Sequence, residues 1–82
     1  MTQEKAPYWL PRQLKKLEDC LLDKPHVHVF HVYEALRGKP WQGEERLCQQ
    51  RLVWTITRYN RSQSQYRIVP GPEVYTYTLV KD

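Results

Sequence analysis

The sequence predicts an α+β fold, with three helices followed by a C-terminal antiparallel β-hairpin. Three observations predict it. Apolar residues recur at helical spacing in three separate segments before residue 62. Prolines and glycines punctuate the chain at Pro11, Pro25, Gly38 to Gly43, and Pro70 to Pro72. The C-terminal stretch is rich in β-branched and aromatic residues on both sides of a Pro-Gly-Pro turn.

Residues 1–10 read as an arm, with Pro7 and Pro11 flanking a Tyr8-Trp9-Leu10 segment expected to pack onto the body. Residues 11–82 read as the domain proper. Its first helix should start near Pro11, because proline at the first helical position loses no hydrogen bond. Leu14, Leu17, Leu21 and Leu22, with Cys20 beside them, mark its apolar face, and Pro25 ends it. A short extended piece is expected at 26–28, from the alternation His26-Val27-His28-Val29. A helix then runs from 29 to 37 on Phe30, Tyr33, Ala35 and Leu36, closing at Gly38. The segment Gly38-Lys39-Pro40-Trp41-Gln42-Gly43 is a connector. A longer helix follows from about Glu44 to Arg61, its first turn carrying acids that the helix dipole favours. At about 100° per residue, Cys48, Leu52, Ile56 and Tyr59 share one narrow arc that should face the core. The opposite arc carries Arg46, Gln50, Arg51, Trp54, Thr57, Arg58 and Arg61. After a polar break at 62–65, strands over 66–69 and 74–80 should pair through a turn in which Gly71 supplies a positive φ.

With 82 residues the chain has the length of one domain. A chain this short buries only ~60–65% of its unfolded surface, which leaves little room for a catalytic cleft. Its 40% hydrophobic and 27% charged residues suit a soluble globular domain. No apolar run approaches the ~18 residues needed to cross a bilayer. The polar start Met1-Thr2-Gln3-Glu4-Lys5 lacks an apolar signal core, so a cytoplasmic or nucleoid-associated location is expected. Cys20 and Cys48 then read as reduced, buried thiols. The net charge is +4, and its distribution says more than its size. From Arg46 to Arg67 there are five arginines, no lysine and no acid. A one-signed segment of Arg, Gln, Asn, Ser, Thr and aromatics suits phosphate and base contacts.

The element order, together with the stretches Gln49 to Arg61, Tyr66 to Gly71 and Thr76 to Leu79, resembles the recognition helix and wing of winged helix-turn-helix DNA-binding domains, of the bacterial or phage regulator type. The helix end Ile56-Thr57-Arg58-Tyr59-Asn60-Arg61 before the strand Tyr66-Arg67-Ile68 is similar to the end seen in such regulators. The resemblance spans about residues 12–80. It departs from the pattern at Lys39 to Gly43, a bulky turn containing Trp41. It implies a winged-helix fold and a small regulator of transcription or replication that reads the major groove with the helix at 44–61.

On that reading the candidate base readers are Arg46, Gln49, Gln50 and Arg51. Arg pairs bidentately with guanine and Gln with adenine. The N-terminal half of a recognition helix is the part that meets base edges. Arg58 and Arg61 should meet phosphates, and Thr57 and Gln42 are weaker candidates. Trp54 would touch a sugar, a base or a partner; the plain alternative buries it under the hairpin. Arg67 and Lys81 border the hairpin, but its tip lacks cations and Glu73 sits beside it, so only weak phosphate contacts are expected there. Tyr66, Tyr75 and Tyr77 read as packing groups.

Duplex DNA is the expected ligand, with RNA less favoured and no membrane involved. A homodimer would add specificity, with Tyr8, Trp9 and Trp41 as candidate interface aromatics. The competing reading is a protein–protein module on the same fold, an adaptor or inhibitor of a nucleic-acid machine that does not itself bind DNA. His26, His28 and His31 match no zinc signature, so no metal and no cofactor are expected. No phosphate loop, G-x-S-x-G or H-E-x-x-H is present, so no catalytic residue is assigned.

Overall fold

The computed structural model describes residues 8–62 and 65–81. Most of the expected arm, and Gln63 and Ser64 of the polar break, lie outside the described residues. Six elements follow in the order α1 (Leu10–Asp23), β1 (Val27–His28), α2 (Val29–Arg37), α3 (Glu45–Arg61), β2 (Tyr66–Pro70) and β3 (Thr76–Lys81). This is an α+β fold of three helices and an antiparallel sheet. The sheet has three strands in the order β1-β3-β2, one more than the expected hairpin. The extended piece at 27–28 supplies the third strand by pairing Val27 with Tyr77 and His28 with Thr76.

α1 starts one residue before Pro11, so Leu10 is its first residue and is buried. Leu17 and Leu21 continue the buried stripe, with Leu14 partly buried. Leu22 departs from the expected apolar face and is exposed, because one residue past Leu21 the helix has turned by about 100°. α2 has the expected span, but its buried residues are Val29, Val32 and Leu36. Phe30 and Tyr33 are only half-buried, and Ala35 is exposed. The His28 side chain caps α2 by accepting from the Phe30 N–H at Nδ1, 3.1 Å. Gly38 ends the helix in the left-handed region at φ 74°, its N–H donating to the Glu34 carbonyl.

The bulky turn is folded back rather than displayed. Trp41 packs edge-on against Tyr33 on α2, with ring centroids 5.0 Å apart, and its indole N–H donates to the Glu44 carbonyl at the start of α3. Trp41 is therefore half-buried between α2 and the start of α3. Glu44 is the N-cap residue of α3, so Glu45 alone stands in the first turn.

The core gathers Leu17, Leu21, Val29, Val32, Leu36, Cys48, Leu52, Ile56, Tyr59, Ile68 and Tyr77. All four residues of the expected α3 arc are in it, and Thr55 is buried beside them. Asn60 joins α3 to β2. Its side-chain oxygen accepts from the Ile68 N–H at 2.8 Å, and its amide donates to the Ile68 carbonyl at 2.9 Å.

The β2–β3 turn corrects one expectation. Positive φ among the glycines falls at Gly38 and Gly43, and not at Gly71. In this turn it falls on Tyr75, at φ 60°. Gly71 is required by close approach instead, since a Cβ there would lie 2.3 Å from Thr76 Oγ1. That hydroxyl donates to the Glu73 carbonyl, and the Gly71 N–H donates to the Thr76 carbonyl. β3 consequently begins at Thr76 rather than Val74. The Tyr75 carbonyl accepts from the Val29 N–H, tying the turn to the start of α2.

Candidate nucleic-acid interface

α3 is packed on three sides. α1 meets it where Trp9 faces Trp54 and the Tyr59 hydroxyl donates to Glu18. The α2 start meets it where the Cys48 thiol donates to the Val29 carbonyl. β2 meets it at Asn60. The remaining face points to solvent. At about 100° per residue, Arg46, Gln50, Val53, Thr57 and Arg61 occupy about 80° of arc on that face. All five are exposed.

Two acids beside α3, Glu45 and Glu18, are engaged by inward partners, while Glu44 at the N-cap is exposed. His28 Nε2 donates to the Glu45 carboxylate, an arrangement fixed by the Phe30 N–H occupying Nδ1. Glu18 receives the Tyr59 hydroxyl. Arg46, Arg51, Arg61 and Arg67 have no ion pair among the described residues. The outward face of α3 is therefore positive and acid-free from Arg46 onward. His28, Glu45 and Glu18 escaped the sequence reading because each pairs with a group 17 or more positions away, a separation that carries no local signal.

The expected site residues separate into groups. Arg46, Gln50, Thr57 and Arg61 share the free face. Trp54 and Arg58 stand at its α1-side edge. Trp54 is 43% exposed and contacts Trp9, with centroids 5.9 Å apart, while the Arg58 guanidinium lies 5.0 Å from the Trp54 ring centre. The ring packs against the start of α1 rather than under the hairpin. Arg51 is exposed beyond that edge. Gln49 is half-buried and hydrogen-bonds the Tyr77 hydroxyl, so it faces the sheet. Arg67 alternates with buried Ile68 on β2 and lies opposite Val80, which puts it on the solvent face of the sheet and apart from α3. Val53, missed among the candidates, is the apolar residue midway along the helix, at the edge of the free face away from Trp54.

The remaining titratable groups lie elsewhere. His26 approaches Glu73 at 3.9 Å, His28 holds Glu45, and His31 is exposed. An open cleft of about 440 Å³ is lined by α1, β1 and α2 residues including Cys20 and His31, with none from α3. Both cysteines are free, Cys48 buried and Cys20 half-buried, and burial pushes both thiols up. No described helix is long and apolar enough to cross a membrane. Compared with protein-family models, curated proteins and solved structures, the chain matches none.

Proposed function

We propose that this chain is a winged-helix protein that binds double-stranded DNA through the free face of α3, as a small regulator of transcription or replication. The observation that carries the reading is that face: Arg46, Gln50, Thr57 and Arg61 are exposed together with no acid among them, and Glu45 and Glu18 are engaged by His28 and Tyr59. Cations and amide groups on one exposed helix suit phosphates and base edges. The order helix, strand, helix, helix, strand, strand, with β1 at one edge of a β1-β3-β2 sheet, supports the winged-helix assignment. In this reading α3 reads the groove and the hairpin supports it, because the turn carries Glu73 and no cation.

One observation favours a second reading, docking to another protein. Leu47, Val53 and Trp54 on α3, with Trp9 beside them, are all exposed large hydrophobic residues. Titration of the protein against mixed-sequence duplex DNA at low and moderate salt separates the two. The DNA reading expects binding that weakens steeply with salt as counterions are retained by the phosphates. No binding at low salt rejects it and leaves the docking reading.

A further inference from the structure

We infer that Val53 gives α3 a contact with the 5-methyl group of thymine, so that the preferred duplex carries an A·T pair at the centre of the site. The inference rests on the DNA reading above. Val53 is 48% exposed in the middle of a 17-residue helix. Gln50 stands one turn before it and Thr57 one turn after, with Arg46 and Arg61 at the two ends of the same face. A valine there stays about half exposed, and its β-branch is less favourable in a helix than a straight chain. In a helix its χ1 is held largely in one rotamer, so its methyls point in a fixed direction and lose little freedom on contact.

The major groove offers one apolar group for such a surface, the thymine methyl. The other bases present only donors and acceptors there. Gln50 suits adenine, and the helix rise puts it about 4.5 Å along the axis from Val53, close to one base-pair step of about 3.4 Å. The two side chains therefore suit neighbouring pairs. Trp54 and Leu47 are less suited to this role. Trp54 is engaged by Trp9 and Arg58, and Leu47 lies outside the arc of Arg46, Gln50, Thr57 and Arg61, which Val53 borders on its other side. The positive charge around Val53 selects a phosphate-bearing occupant over an apolar one.

The test uses one short duplex selected by the full chain from a randomised pool, made either with thymine or with uracil in its place. Uracil pairs identically and lacks only the methyl group. The wild type should bind the uracil duplex about fourfold more weakly, the effect of exposing one methyl group. Val53→Ala should bind both duplexes equally, with unchanged circular dichroism. Equal binding of both duplexes by the wild type overturns the methyl contact and leaves DNA binding standing. An undiminished uracil effect in Val53→Ala overturns the role of Val53. Failure to bind any duplex at low salt overturns both the inference and the reading beneath it.

Discussion

Asn60 shows how one side chain sets the position of an element. Its amide satisfies both backbone groups of Ile68, which fixes β2 against the end of α3. Asn60→Ala leaves those groups without their partner and should destabilise the protein by about 1–3 kcal/mol, measured by urea unfolding. Asn60→Asp keeps the acceptor for the Ile68 N–H but sets a carboxylate oxygen against the Ile68 carbonyl, so it too should destabilise the protein. The thiols give a second residue-level expectation. Burial raises Cys48 and Cys20 above the ordinary thiol range, and it raises Tyr77 likewise. A raised group binds its proton more tightly in the folded state. Its contribution is complete below the unfolded value and is lost as pH rises through the folded one. The urea midpoint should therefore fall as pH is raised from about 8 past the usual thiol range of about 8.5 and on toward the tyrosine range.

At the scale of elements, the turns and α3 carry the tests. Gly71→Ala should be more costly than Gly38→Ala. The Gly71 Cβ would meet a Thr76 hydroxyl already held by the Glu73 carbonyl, and overpacking of this kind costs about 1–3 kcal/mol. At Gly38 no atom stands within 4 Å, so only the left-handed backbone is strained, about 1 kcal/mol. Thermal unfolding of the two variants orders them. On α3, Arg46→Ala and Gln50→Ala should each weaken binding to a selected duplex by about 1–3 kcal/mol and relax sequence preference. Arg58→Ala should weaken binding to all sequences alike. So should Arg51→Ala, because Arg51 stands beyond the α1-side edge and not on the face where it was expected to read bases. Each should lower the salt slope by about 0.9 if it meets one phosphate. Gln49→Ala should change stability more than sequence preference, since Gln49 bonds Tyr77.

For the whole molecule, the decisive property is how charge is sorted. Nine acids against thirteen bases give only +4, too little by itself to identify a partner. The fold sharpens that balance by engaging Glu45 with His28 and Glu18 with Tyr59 on the inner sides of α3. His28→Ala should therefore do two things, loosening the α2 cap and leaving the Glu45 carboxylate, one residue before Arg46, without its partner. Weaker DNA binding at low salt, with the difference shrinking as salt is raised, is the expected result, since free carboxylates are screened.

The sequence by itself determined the three helices, the core arc of α3 and its acid-free opposite face, because helical periodicity and charge are local and repeat every few residues. It determined the Gly38 helix end for the same reason. Only the tertiary structure decided that residues 27–28 become a third strand, that Trp41 is folded between α2 and α3, and that Gly71 answers to crowding rather than to φ. It also decided which polar residues of α3 remain outward. Gln49 and Gln50 are neighbours in sequence with the same chemistry, yet Gln49 bonds the sheet and Gln50 faces solvent. The physical reason is the same in every case: a contact between distant segments depends on where other elements pack, and no local pattern encodes it.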